Sequence, residues 1–356
     1  MKKFLAVLLS ALMLLTLVTA CGGKTEPAQD TPAPAESTEQ TPELSGTMKV
    51  VATSESYVTL FDKFTEETGV EVELLSMSSG EVLSKLRAEG GTPSADLWFG
   101  GGVDAFMSAK EDDLLEQVNF DAASDLAAEF KDEENYWFSK GITVVGFLLN
   151  NKLMEELGLT APETWDDLLR EEYAGEIIMS NPAISGTNYG VVNALLQRKG
   201  DAGWDYFEKL NNNIAYYAKR GSDPKNKVTS DEFAIGITYI DGTIEALLSD
   251  YDVTIVYPAD GMPWIPEGVA VFKNADNVEA AKYFVEWLFS SDDNLRLLAE
   301  IDQKTGVKVI KPSLADLTLS FDPDVLMEED LSLFGAQRDT ILEKFEALMG
   351  DKVANE

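Results

Sequence analysis

Ser94-Ala95-Asp96-Leu97-Trp98-Phe99-Gly100-Gly101-Gly102-Val103-Asp104-Ala105-Phe106 is the stretch that decides how this chain folds. Ala95 to Phe99 is a short apolar run of buried-strand type, three glycines follow, and helical spacing runs from Asp104 to Asp112. A strand feeding a helix through a tight turn is the repeating unit of an α/β architecture. The glycine run lacks the GxGxxG spacing of a dinucleotide site and the Gly-Lys-Ser of a Walker loop. It reads as a close backbone approach to a ligand or as a crowded hinge between lobes, and the two readings are compatible.

The same alternation continues on both sides. Met48 to Ala52 and Val70 to Leu75 read as strands, with a helix from Tyr57 to Thr68 between them and Gly69 at its C′ position. Ser79 to Glu89 reads as the next helix. Further strands are expected at Ile142 to Leu149, Glu176 to Met179, Tyr216-Tyr217, Phe233 to Tyr239, Val253 to Tyr257 and Gly268 to Phe272. Helices are expected at Gly190 to Gln197, Ala202 to Leu210, Thr243 to Leu248 and Val278 to Phe289.

In open α/β sheets, ligands sit outside the carboxyl ends of strands. Four strand-to-helix turns carry glycines or small hydroxyl residues there: Thr53-Ser54, Gly100-Gly101-Gly102, Ser185-Gly186-Thr187 and Gly221-Ser222. Free N–H groups and the positive helix end suit such turns to an anion. Each Ser or Thr can equally be an N-cap.

The chain has 356 residues, no His, a single Cys and a formal net charge of −35. Without His, Ser-His-Asp catalysis and zinc bound through imidazole are excluded. No basic stripe exists for nucleic acid. An acidic surface also repels anionic headgroups, so membrane contact is expected through lipid alone. Gly-x-Ser-x-Gly and phosphate-transfer loops are absent, although paired carboxylates of glycosidase type are not excluded by counting. An exported lipoprotein hydrolase therefore stands as the alternative from another class.

Lys2 and Lys3 precede an apolar run from Phe4 to Leu17, then Val18-Thr19-Ala20-Cys21. This is the shape of a secretory signal, and it resembles a bacterial lipobox, which implies cleavage before Cys21 and lipid on its sulfur. An ordinary secreted protein is the alternative. We expect residues 1–20 to be a signal peptide and 21–46 a lipidated flexible linker, because Thr, Glu, Pro, Ala and Ser there bury too little to order. The body from about Thr47 exceeds the usual size of one hydrophobic core, so two lobes are expected.

The opening stretch, Ala109-Lys110-Glu111-Asp112-Asp113-Leu114-Leu115-Glu116, Pro162-Glu163-Thr164-Trp165-Asp166-Asp167-Leu168, Asn181-Pro182-Ala183-Ile184-Ser185-Gly186-Thr187 and Ala234-Ile235-Gly236-Ile237 together resemble the solute-binding proteins of bacterial ABC importers. Within these the chain is similar to the branch that takes ferric iron, thiamine, phosphonates or sugar phosphates. The resemblance implies a type 2 periplasmic-binding-protein fold: two α/β lobes, two crossover segments and a ligand cleft between the lobes. It implies lobe one at 47–142 and 262–356 and lobe two at 143–261. It implies no catalysis, no cofactor, a small-molecule solute, a permease and ATPase complex as partner, and an extracytoplasmic monomer anchored through Cys21.

Ferric members use paired tyrosines near the end of the Ala-Ile-Gly strand. Here only Tyr239 falls in Thr238-Tyr239-Ile240-Asp241, so ferric iron or thiamine is the alternative solute and no metal ligand is assigned. Members that bind phosphorylated organic compounds carry a His-Asp pair there. Asp241 matches and Ile240 replaces the His. The expected solute is a phosphorylated or phosphonate compound. Its anion would lie on Ser54, Gly101, Ser185, Gly186, Thr187 and Ser222, and a cationic or polar end near Tyr239, Asp241, Trp264 and Glu267. The alternative for Trp264 is hinge packing, and the alternative for Asp241 is an N-cap on the helix that follows it.

Overall fold

The computed structural model describes residues 44–304, 306–311, 313–314, 316–319 and 321–353. The expected signal peptide, the lipidation site Cys21 and residues 21–43 of the expected linker lie outside them.

Among the described residues, ten strands form one mixed sheet. They are β1 (Thr47–Ala52), β2 (Glu71–Ser76), β3 (Leu97–Gly102), β4 (Leu115–Glu116), β5 (Phe138–Asn150), β6 (Ile177–Ser180), β7 (Ile214–Ala218), β8 (Ile235–Ile240), β9 (Val253–Val256) and β10 (Trp264–Phe272). The main order is β2-β1-β3-β10-β5-β8-β6-β7, with β4 beside β10 and β9 beside β5. Helices cover it: α1 (Val58–Thr68), α2 (Ser79–Ala88), α3 (Val103–Glu111), α4 (Asn151–Glu156), α5 (Gly186–Lys199), α6 (Gly203–Asn213), α7 (Asp223–Thr229), α8 (Gly242–Glu245), α9 (Val278–Ser290), α10 (Asp292–Asp302), α11 (Val307–Ile310), α12 (Ser332–Ala336) and α13 (Arg338–Met349).

Two strands join the halves. The first part of β5 pairs antiparallel with β10, up to Val144 opposite Trp264, and its second part pairs with β8, from Val144 opposite Ile240 to Leu149 opposite Ile235. All 13 residues of β5 are buried, as its near-continuous apolar sequence requires of a strand covered on both faces. Thus β5 and β10 are the two crossover segments of a two-lobed α/β fold.

The opening stretch folds as expected in type but not in extent. β3 continues through all three glycines, and α3 begins at Val103. Gly100 and Gly101 take φ of +93° and +94°, a region open to glycine at little cost. Alternation along β3 sends Trp98 and Phe99 to opposite faces. Trp98 stacks on Phe106 at 3.9 Å between centroids, whereas Phe99 meets Tyr57, Phe61 and Phe284. On α9, Ala280, Ala281, Phe284, Val285, Leu288 and Phe289 are all buried on one face, the spacing of an amphipathic helix.

A separate core gathers Phe147, Trp165, Tyr189, Leu195 and Phe207 under the β5-β8-β6-β7 half. The last helix joins it: Ile341, Phe345 and Met349 of α13 are buried there, with Phe345 5.3 Å from Phe207 between ring centroids. The chain after β9 therefore packs against both halves, α9 against one and α13 against the other. Helix α5 starts at Gly186, four residues before the position its periodicity suggested, because Ser185 caps it and draws Gly186 and Thr187 into its first turn.

Candidate functional site

Strand ends and helix starts from both halves converge on a cleft of about 250 Å3. Nine of the ten ligand positions expected from sequence line it: Ser54, Gly101, Ser185, Gly186, Thr187, Ser222, Tyr239, Asp241 and Glu267. Trp264 does not. Its Nε1 donates to the Met327 carbonyl at 2.9 Å and its ring stands 5.9 Å from Phe130, so it packs the hinge side of β10.

The nine differ in what their polar atoms already do. Ser54 Oγ accepts from Ser56 N at 3.2 Å, and Ser185 Oγ accepts from Asn188 N at 3.3 Å, so both act as caps. Asp241 Oδ1 accepts from Thr243 N at 3.0 Å and Ile244 N at 3.2 Å, the geometry of an N-cap for α8. Ser222 stands at the cap position of α7 yet makes no side-chain cap bond. Among the described residues, the Thr187 and Ser222 hydroxyls have no protein partner. They remain available to a ligand.

The floor is a charge network. Lys140 Nζ, with no exposed side-chain surface, lies 2.6 Å from Glu267 Oε2 and 2.7 Å from Asp302 Oδ2. Lys304 Nζ lies 2.8 Å from Glu267 Oε1, 3.0 Å from Thr143 Oγ1 and 3.8 Å from Asp241 Oδ2. Thr143 Oγ1 also donates to Glu267. Burial alone would raise the Glu267 carboxyl, but the two ammonium groups outweigh it and hold that carboxyl far below the usual range. Burial would lower Lys304, and Glu267, Asp302 and Asp241 together push it up instead. Burial first, then Asp302 and Glu267, keep the Tyr57 hydroxyl protonated. Tyr239 has the Lys225 and Lys304 ammoniums 5.7 Å and 5.8 Å from its ring centre. The carboxylates and the ring expected to receive a cationic end of the ligand are thus already engaged by the protein's own cations.

Two contributors were missed in the sequence. Arg220 lines the cleft, exposed, and its guanidinium has no partner among the described residues. Its backbone is fixed on both sides: Ser180 Oγ donates to its carbonyl at 2.6 Å, and its N–H donates to Asp223 Oδ2 at 2.9 Å. Ser79, the first residue of α2, is 2% exposed and its Oγ has no hydrogen-bond partner, a costly state for a buried hydroxyl. The net negative charge of the chain hid Arg220, and Ser79 looked like any helix-start serine.

A cleft between two α/β halves, lined by helix starts and free donors and floored by matched charges, defines a protein that captures a small solute. The chain belongs to the bacterial extracellular solute-binding protein family, whose model matches residues 59–316. It is 28% identical over 264 residues to y4fP of Sinorhizobium fredii, named as an ABC transporter periplasmic-binding protein, covering 69% of each chain. It is 26% identical over 253 residues to a periplasmic protein of Salmonella paratyphi A named for binding 2-aminoethylphosphonate, covering 68% of this chain and 71% of that one. Among solved structures, the periplasmic binding protein P5PA matches with a TM-score of 0.76 and 26% identity, over 85% of this chain and 99% of that one. Membership implies a small-molecule solute and a permease complex. No helix among the described residues is long and apolar enough to cross a membrane.

Proposed function

We propose that this protein is the lipid-anchored, non-catalytic receptor of an ABC importer and that it captures a phosphorylated or phosphonate organic compound. The observation that carries this reading is the set of donors on one side of the cleft that have no partner among the described residues: the Arg220 guanidinium, the Thr187 and Ser222 hydroxyls, and the Gly186 and Thr187 N–H groups at the start of the 14-residue helix α5. A guanidinium beside a helix N-terminus suits a phosphate-type dianion in shape and charge. The Salmonella relative named for an aminophosphonate supports an anion of this class. On the floor, the engagement of Glu267, Asp241 and Tyr239 by Lys304, Lys140 and backbone N–H groups favours a solute whose other end is hydroxylated and uncharged over one that ends in an ammonium group.

In this reading lobe one comprises 47–142 and 262–356 and lobe two 143–261, with β5 and β10 as the hinge strands and Cys21 as the lipid attachment site. The protein is a monomer, and the solute leaves chemically unchanged.

A thermal-shift panel of sugar phosphates, phosphoglycerates, phosphonates, thiamine phosphates and Fe(III) tests the solute class. A ligand at one hundred times its Kd adds about 2.7 kcal/mol to folding stability. A response to phosphorylated compounds that is lost in Arg220→Gln supports the reading, and a response to Fe(III) alone overturns it. Cys21→Ser is expected to move the protein from the membrane to the soluble fraction.

A further inference from the structure

Beside the cleft, backbone of one half meets backbone of the other at two glycines, with only the small Ser79 side chain at the contact. Gly80, in the first turn of α2, donates its N–H to the Ile184 carbonyl at 3.1 Å. A Cβ built on Gly80 would stand 2.0 Å from the Ala183 carbonyl oxygen and 2.9 Å from Ile184 Cα. A Cβ on Gly186, at the start of α5, would stand 2.7 Å from Gly102 N and 2.8 Å from Ser79 Oγ. Real Cβ contacts essentially never fall below 3.0 Å.

Neither glycine is required by its own backbone. Both lie in helices and neither has positive φ, so alanine is the better helix former at each. The only thing that excludes a side chain is the opposite half of the molecule. Nor can the opposing turn retreat. Asn181 holds it from within: its carbonyl accepts from Ile184 N at 3.1 Å and Ser185 N at 2.9 Å, and its Oδ1 accepts from Ala183 N at 2.9 Å. Arg338 of α13 pins it from outside, with Nε 2.7 Å from buried Asp104 Oδ2 and Nη2 3.5 Å from the Ala183 carbonyl.

We infer that Gly80 and Gly186 are positioning residues for solute capture: their missing side chains let the two lobes close backbone to backbone against the turn that carries Ser185, Gly186 and Thr187. In that closed form the Ile184 carbonyl caps a first-turn N–H of α2 that water satisfies when the lobes part. A methyl group at either position holds the seam about 1 Å or more further apart to reach ordinary contact distance. Binding then draws on a closed state that is scarcely populated, which weakens apparent affinity in proportion. This inference rests on the solute-capture reading above.

The test uses the full chain carrying Cys21→Ser, with spin labels on Glu66→Cys and Glu156→Cys, both exposed and one on each half. Distances between labels are measured with and without saturating inorganic phosphate, in the parent, Gly80→Ala and Gly186→Ala. The parent is expected to populate the short separation of this structure, more so with phosphate. The variants are expected to lack it in both conditions, to bind phosphate roughly tenfold or more weakly, and to melt without phosphate no lower than the parent. If Gly80→Ala and Gly186→Ala reach the same short separation, or if the parent never populates it, the inference is wrong. The label distance needs no knowledge of the organic solute, so its failure is distinct from loss of phosphate response in Arg220→Gln, which tests the site itself.

Discussion

On the rim of the cleft, Arg220, Thr187 and Ser222 present donors with no partner among the described residues, whereas on the floor Lys140, Lys304, Glu267 and Asp302 are matched to one another. Both regions are polar, and composition alone would rank them equally as ligand sites. The difference lies in satisfaction. A buried charge must be paired to be tolerated, so the floor acts as a rigid base that joins β5, β10 and the segment after α10. An exposed donor can wait in water until an anion replaces that water. Polar lining is therefore a poor guide to ligand contacts unless the partners of each atom are counted.

The largest effect is expected from breaking the floor. Lys140→Met leaves Glu267 and Asp302 facing each other in a buried site with one ammonium fewer. Removal of one partner from a buried pair costs about 3–5 kcal/mol, and urea denaturation of the ligand-free protein should register a loss of that size. A loss below about 1 kcal/mol would mean that the floor is open to water and the contrast with the rim is false.

Next comes the rim. Arg220→Gln removes a charge that pairs with no group among the described residues, so ligand-free stability should stay within about 0.5 kcal/mol of the parent. Affinity for a phosphorylated solute should fall about tenfold or more, since hydrogen bonds to charged groups contribute about 1.5–3 kcal/mol. Calorimetry on the same sample as the denaturation separates the two quantities. Thr187→Val is expected to show the same pattern at about tenfold. If it binds as tightly as the parent, Thr187 belongs to the helix start and not to the ligand.

Asp241→Asn sharpens the comparison from the middle. Asp241 lies in the cleft but caps α8, so the change should cost on the order of 1 kcal/mol of stability or less and leave affinity for an anion nearly unchanged. A large loss of affinity with intact stability would return Asp241 to the ligand set.

The smallest effects are those of pH. In the folded chain Glu267 is held far below its unfolded value of about 4.3. Its pairing thus contributes fully above that pH and is lost as pH falls below it. Lys304 is raised above its unfolded value of about 10.4, so its contribution is complete below that pH and is lost as pH climbs through the folded value. The rim should behave differently. The chain has no His, so a gradual loss of affinity between pH 7 and 5.5 would report the second ionisation of a bound phosphate monoester, near 6. Affinity that is flat across this range would point to a solute without such a group.

Much of the fold was legible because its signals are local. Gly69 ends α1 with φ +77°, as a glycine at a C′ position does. Val278 to Ser290 shows its buried face in its spacing alone. Where local signals misled, a longer-range partner had intervened. β3 runs through Gly100, Gly101 and Gly102 because β10 pairs with it as far as Gly102 opposite Glu267. The ring of Trp264 suits it to a ligand cleft, yet the carbonyl of Met327, far along the chain, takes its indole N–H.

By itself the sequence determined the α/β alternation, the strand-end turns that form the cleft and the kinds of catalysis that are excluded, because periodicity, turn chemistry and the presence of a residue type are properties of short stretches. Only the tertiary structure decided which of the polar groups are free. Glu267 meets Lys140 across 127 positions, and Gly80 meets Ile184 of the other half beside the cleft. A hydrogen bond is made or withheld within a few tenths of an ångström, a scale that only the assembled lobes define.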